Sequence, residues 1–281
     1  MVNHTKDLEV LECFCGVQSI IRGAEYLMGK GLGIDILSPN AEPQPHRNIG
    51  TLRGFLLALR TLVRVKVGGL LWLAPPCSSW VWISRGTNKR SVHNPLGDEG
   101  QSSVRFNNRL VSRLVVLLKL ARYLGVFWII EQPSSSLLFE HPKLARAAKQ
   151  LGTKTQDIWM RNFGSESRKR TRLWGDTPAI ASLGGKLEDR TKQSVQVSVQ
   201  CSGGVTGGKD LKATQAYPSL FGLSVCRAHF LGFIQPSITA GSDFLRDTVS
   251  GGDSSDGDSC ASDDSFECIS DVLEMAQRVW D

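Results

Sequence analysis

Short apolar runs bounded by turn residues alternate along this chain with segments whose apolar positions recur at helical spacing. Residues 8–14 (LEVLECF) are β-capable, Cys15-Gly16 supplies a turn, and residues 20–28 carry a helical period. Residues 31–36 (GLGIDI) form a second short strand with Asp35 near its end, and the Pro-rich polar residues 37–50 predict a loop. An amphipathic helix over 52–63 returns the chain to residues 69–73 (GLLWL), an apolar strand stopped by Pro75-Pro76. The longest helix is predicted over 104–124, with Leu110, Leu114, Leu117 and Leu118 on its buried face, and residues 126–130 (VFWII) are again wholly apolar. Apolar strands that do not alternate in and out, separated by helices, predict an α/β fold around a parallel sheet covered on both faces.

The pattern then weakens. Residues 141–151 predict a short basic helix, and 157–163 and 171–174 the last strands, so a single catalytic-type domain is expected over 1–180. Residues 181–240 are polar and glycine-rich with brief alternation at Val195, Val197 and Val199, which predicts a small irregular appendage. Its end, 212–222 (KATQAYPSLFG) and a helix over 223–233, is expected to pack back on the core. Residues 241–281 are rich in Ser, Gly and Asp and predict a disordered acidic tail with a short helix at 270–280 and serines placed for phosphorylation.

Charge sharpens this division. The net +6 hides a tail, residues 243–281, with eleven Asp/Glu and two Lys/Arg, against 31 Lys/Arg and 16 Asp/Glu before it, a net of +15. A body that basic points to a polyanionic partner. Seven scattered cysteines, with no signal peptide and no apolar run near ~20 residues, predict reduced thiols, an intracellular location and no membrane partner. Cys13-x-Cys15 lacks a second Cys/His pair at zinc spacing, so no metal is expected.

Candidate chemistry gathers at strand ends, where open α/β sheets place ligands. Cys77 follows two prolines at the end of one strand, a rigid position for a thiol nucleophile. Glu131 ends the next, in Glu131-Gln132-Pro133. Asp35, about twenty positions after the Cys15-Gly16 turn, matches the acidic residue that binds the ribose of an adenosine cofactor. Gly29-x-Gly31-x-Gly33 precedes a strand instead of following one, which argues against phosphate binding. Three basic groups are either solvated faces or phosphate contacts: Arg85, Lys89 and Arg90 in the long loop 78–101, read as an active-site lid; Arg105, Arg109 and Arg113 along one helix stripe; and residues 168–172 (RKRTR).

In order, these elements resemble the cytosine-5 DNA methyltransferase family over about residues 8–222. Phe14-Cys15-Gly16 is similar to its first motif, Pro75-Pro76-Cys77 to its nucleophile motif, and Glu131-Gln132-Pro133 to its Glu-Asn-Val/Pro motif. Arg168-x-Arg170 is similar to its Arg-x-Arg motif, and residues 214–221 (TQAYPSLF) to the segment after its recognition region. The resemblance implies a Rossmann-like class I methyltransferase sheet with flanking helices and a reduced recognition appendage. It also implies S-adenosylmethionine held by Phe14, Cys15, Gly16, Asp35, Asn48 and Pro75, and catalysis by Cys77, Glu131, Arg168 and Arg170. DNA is the implied substrate, with RNA as the variant, contacted by Arg85, Lys89, Arg90, Arg105 and Arg109. The protein would act as a monomer, in the nucleus of a eukaryotic cell.

The implied chemistry explains the residue types. Carbon 5 of cytosine becomes nucleophilic once a thiolate adds to carbon 6, which assigns Cys77 as nucleophile and Glu131 as the group on N3 and the exocyclic amine. A thiol with a pKa of about 8.5 is mostly protonated at neutral pH, so Arg168 and Arg170 are expected to lower it. The base must leave its stack to reach the site, and Trp80 and Trp82 either fill the vacated space or pack, of which packing is favoured. The chain departs from the family pattern at Gln18 (usually Gly), Asn48 (usually Asp) and Gln132 (usually Asn), and it has no evident closing Asn-x-Val-Pro motif. A catalytically silent nucleic-acid-binding relative is the alternative of another class.

Overall fold

A computed structural model describes residues 5–37, 42–187, 197–199, 205–207 and 216–232. Six strands form one sheet. They are β1 (Leu8–Cys13), β2 (Gly31–Ile34), β3 (Val65–Leu73), β4 (Phe127–Pro133), β5 (Lys154–Trp159) and β6 (Arg170–Gly175), in the spatial order β2-β1-β3-β4-β6-β5. The pairs β1/β2, β1/β3 and β3/β4 are parallel, whereas β6 is antiparallel to both β4 and β5. This is an α/β sheet with flanking helices, as the apolar pattern predicts, of the Rossmann-like kind that the resemblance implies, with one reversed strand that periodicity does not reveal. In the appendage, β7 (Val197–Val199) and β8 (Val205–Gly207) pair antiparallel. The tail, with its predicted helix, lies outside the described residues.

Helices cover both faces. On one, α2 (Leu52–Val63), α4 (Ser102–Tyr123) and α5 (Pro142–Gln150) bury Leu59, Leu62, Leu114, Leu117 and Leu144 against Leu11, Leu71, Trp128 and Ile130. On the other, α1 (Ser19–Tyr26) and α6 (Ser219–Cys226) bury Ile20, Ala24, Phe221 and Val225 against Val10, Leu70, Trp72 and Ile129. Burial on both faces is why these strands read as apolar runs without alternation.

The structure corrects several expected boundaries. The third strand starts at Val65, four residues early, because a bulge with Gly68 at φ +78° shifts its register on β1 and turns Lys66 and Val67 outward. The strand expected over 157–163 is β5 and ends at Trp159. Residues Met160–Phe163 form a 3-10 turn that closes at Gly164, where φ is +88°. The helix expected over 223–233 begins at Ser219, behind Pro218, and passes at Arg227–Leu231 into a π-helical turn. There the buried His229 ring bridges Thr177 Oγ1 (3.1 Å) and the bulge carbonyl of Gly68 (2.9 Å), tying the end of the described chain to β3.

The loop 78–101, read from the sequence as an active-site lid, has a folded interior. It contains a 3-10 turn, Trp82–Ser84, and α3 (Arg85–Asn88), wrapped around the buried Arg90. The Arg90 guanidinium bonds Ser79 Oγ and the carbonyls of Pro95, Leu96 and Val104, and lies 3.7 Å from the centre of the Trp80 ring. Burying a cation is costly unless its donors are met, and here the loop's own carbonyls meet them.

Candidate functional site

The strands β1 to β4 end on one edge of the sheet, and β6, being reversed, begins there. Cys77, Glu131 and the basic run before β6 therefore converge although more than fifty residues separate Cys77 from Glu131. Ala74-Pro75-Pro76 carries the chain off β3, with Ala74 N–H donating to Cys13 O (3.2 Å). The buried Gln132 amide donates to Pro75 O, and its own oxygen accepts from Ser136 Oγ (2.9 Å). Beyond the prolines, Trp80 and Val81 N–H groups donate to Cys77 O. The half-buried Cys77 is thus fixed on both sides, and Gln132, a departure from the family pattern, is what holds the Pro-Pro turn.

Glu131 is buried, with its side chain 5% exposed. Lys169 Nζ bonds its Oε1 at 3.3 Å, and the Tyr217 hydroxyl bonds its Oε2. Burial raises the Cys77 thiol above its ordinary pKa; Lys169 opposes that rise and Glu131 adds to it. Within this basic run Lys169 is the cation whose charge favours the Cys77 thiolate, a place for which the sequence reading names Arg168 and Arg170. Strand register gives the reason. Glu131 pairs with Leu173, so Lys169, Thr171 and Leu173 share its face, whereas Arg170 and Arg172 share the face of Gln132. Arg170 and Arg172 both bond Asp157 of β5, Arg170 at 2.7 Å and Arg172 through two nitrogens, and Arg170 also lies over Trp159. Arg168 precedes β6 with a half-buried side chain.

Beside this cluster, the turn after β1 holds Phe14 at φ +61°, Gly16 at +46° and Gln18 at +59°. Gln18 adopts the left-handed conformation that suits the glycine it replaces, and its amide lies against Gly33. Gly16 N–H donates to Asp35 Oδ2 (2.9 Å), and Leu37 N–H to Asp35 Oδ1 (3.1 Å). Each carboxylate oxygen thus accepts one backbone donor and keeps a lone pair, which suits a ribose hydroxyl. Nothing lies within 4 Å of the place a Gly16 side chain would occupy, so the crease above the turn is open. These residues fit an adenosine cofactor. Asn48 Oδ1 accepts from Gly50 N–H (2.8 Å), Arg47 reaches Gly33 O and Arg113 reaches Ile49 O, which fixes the Asn48 turn between β2 and α4. Cys15 is a packed thiol, pushed up to about 12 by burial, and Cys13 is fully buried.

The proposed phosphate contacts divide. Arg90 is consumed inside its loop, a correction that follows from its burial. Arg105 bonds Glu99 O and Gly100 O, joining α4 to the loop, while staying exposed; Arg109 is exposed above Phe106. Lys89 is exposed and Arg85 half-buried. Trp80 packs in the core, as favoured, whereas Trp82 is 57% exposed.

Sequence reasoning missed Lys169, Tyr217 and Glu12. The first two needed the reversed strand and a contact spanning 86 positions. Glu12 is fully buried beneath the turn after β1, accepts from Ile21 N–H (3.1 Å), and is pushed up to about 8 by burial.

No protein-family model and no curated protein matches the chain. Among solved structures it is similar to the Dnmt2 methyltransferase of S. pombe, at 14% identity over 64% of this chain and 51% of that one, with a TM-score of 0.35. It is also similar to the Entamoeba histolytica methyltransferase EhMeth, at 16% identity over 67% of this chain and 58% of that one, with a TM-score of 0.40. The chain spans between half and three fifths of the length of these structures.

Proposed function

We propose that the protein transfers a methyl group to carbon 5 of cytosine in nucleic acid, DNA in the first instance, through a covalent Cys77 adduct. The observation that carries this reading is the meeting of Cys77, Glu131 and Lys169 on adjacent strand ends, beside an adenosine-type turn. Phe14, Gly16 and Asp35 would hold S-adenosylmethionine, with Asn48 and Pro75 bordering it. That cofactor supplies an electrophilic methyl group when bound.

The chain's own residues do the rest. Lys169 favours the thiolate of Cys77 against the burial that disfavours it. The thiolate adds to carbon 6 of an extruded cytosine, and the carbon 5–carbon 6 π electrons become available at carbon 5. Glu131, whose two oxygens accept hydrogen bonds at rest, bonds N3 and the exocyclic amine and passes to N3 the proton that Cys77 gives up, as the ring accepts charge; acid–base help of this kind is typically worth ~10²–10⁴-fold. Once carbon 5 carries its methyl group, it loses its proton to solvent water, the sulfur–carbon 6 bond breaks, and the N3 proton returns by way of Glu131 to the Cys77 sulfur. Exposed Lys89, Arg105 and Arg109 would meet the phosphate backbone.

The test is methyl transfer from labelled S-adenosylmethionine to matched DNA and RNA duplexes and single strands. Cys77→Ala is expected to abolish incorporation at carbon 5, and Glu131→Gln to slow it about 100-fold with oligonucleotide binding retained. Incorporation on RNA but not DNA would reassign the polymer. Specific binding without incorporation on any substrate would favour the catalytically silent reading.

A further inference from the structure

We infer that Tyr217 is a positioning residue for Glu131: its phenol fixes the carboxyl beside Cys77 and so sets the reactivity of that thiol. The inference rests on the reading of the Cys77 site given above. Tyr217 reaches Glu131 from the far end of the chain. Its hydroxyl donates to Glu131 Oε2, while Lys169 donates to Oε1 and lies 5.6 Å from the centre of the Tyr217 ring. Each oxygen of the carboxyl therefore has one side-chain donor, and the ammonium of one lies within cation–π range of the ring of the other.

The phenol is delivered by a rigid mount. Its ring meets Trp72 edge-on at 6.3 Å and Phe221 at 5.3 Å, and its carbonyl accepts from Ser19 Oγ (2.9 Å), the first residue of α1. Pro218 then starts α6, which crosses α1 backbone to backbone. A Cβ on Gly222 would fall 1.8 Å from Ser19 O, and one on Gly23 2.5 Å from the Gly222 carbonyl. Cys226 Sγ–H adds a bond to Ile20 O (3.3 Å). Tyr217, Pro218 and α6 thus clamp α1, the helix that follows the turn after β1.

The hydroxyl makes Tyr217 more than a packing residue. A buried phenol needs a partner, and phenylalanine would serve the ring contacts equally well. Burial and the negative charges of Glu131 and Cys77 hold its ionisation well above the ordinary value, so Tyr217 is a donor throughout the working pH range and cannot serve as a base. As a fixed donor it neutralises part of the Glu131 charge that Cys77 faces. It also leaves Oε1, where Lys169 can withdraw, as the oxygen that exchanges a protein partner for a base.

The test is the pH dependence of Cys77 alkylation by iodoacetamide in the full chain, read by peptide mass spectrometry. In Tyr217→Phe the alkylation midpoint is expected to rise by about 0.5 pH, because Glu131 faces the thiolate less neutralised. In a Glu131→Gln background the same replacement is expected to leave the midpoint where it was. An unmoved midpoint in Tyr217→Phe, or an equal rise with and without Glu131, would overturn the inference. Should Tyr217→Phe not fold, 3-fluorotyrosine at 217 keeps the ring and strengthens the donor. It should lower the midpoint, and an unchanged or raised one counts against the inference. A wild-type chain that never methylates cytosine contradicts the proposed function instead, and the alkylation result still decides for Tyr217.

Discussion

Lys169 sits in a run of four cations within five residues, and only strand register distinguishes it from its neighbours. Sharing a face with Glu131 places it on that carboxylate and within electrostatic reach of the thiol, while Arg170 and Arg172 are committed to Asp157. Replacing Lys169 with Met removes the charge that opposes burial at Cys77, so the thiol pKa moves further up. Alkylation of Cys77 at pH 8 should slow about 10-fold, corresponding to roughly one pH of midpoint shift. Arg170→Met should leave that rate near wild type while costing up to about 1 kcal/mol of stability, since its side chain is 53% exposed. Cys77 and Glu131 were legible in the sequence because each follows an apolar run and stands beside proline. Lys169 was hidden because the direction of β6 decides which of Arg168, Lys169 and Arg170 faces inward, and apolar periodicity carries no direction.

At the scale of elements, the apolar runs located β1, β3 and β4, and helical spacing located α2 to the residue. The α1/α6 crossing was not legible, because it depends on two glycines 199 positions apart, Gly23 and Gly222, whose lack of side chains lets two backbones touch. Gly222→Ala would drive a methyl group into the Ser19 carbonyl, and neither side of that contact is a flexible side chain. It is expected to destabilise the protein by about 3 kcal/mol or more, or to unseat α6, as measured by urea unfolding. Because α6 carries Tyr217 to Glu131, the same variant should also shift Cys77 alkylation wherever it remains folded. The internal order of the loop 78–101 was not legible for a related reason. Its core is Arg90, a charged residue whose burial only the surrounding carbonyls explain, and polar composition alone reads as an open loop.

For the molecule as a whole, buried ionisable groups predict how stability follows pH. His141 and His229 are buried and pushed down to about 4, against an ordinary 6.5, so the unfolded chain binds more protons than the folded one between those values. Their contribution is complete above about pH 6.5 and is lost as the pH falls toward 4. Glu12, pushed up to about 8 from 4.5, acts in the opposite sense: it folds as the neutral acid, and its contribution is lost as the pH rises through 8. Two histidines outweigh one glutamate below pH 6.5, and Glu12 alone acts between there and 8, so stability should peak near pH 6.5. Thermal unfolding of Glu12→Gln should show a plateau from pH 6.5 to 8 where wild type declines; parallel curves would remove Glu12 as the cause. The basic body and the parallel part of the sheet, β1 to β4, were evident from composition and pattern. The coupling of its carboxyl edge was not, because it is made by residues from β3, β4, β6 and α6 that only the fold brings together. That coupling is tested most directly by incubating the full chain with S-adenosylmethionine and an oligonucleotide containing 5-fluorocytosine, then measuring the intact mass. The site as described predicts a stable adduct on Cys77 that Cys77→Ala does not form and Lys169→Met forms about 10-fold more slowly. A folded wild-type protein that binds both molecules and yields no adduct would contradict it.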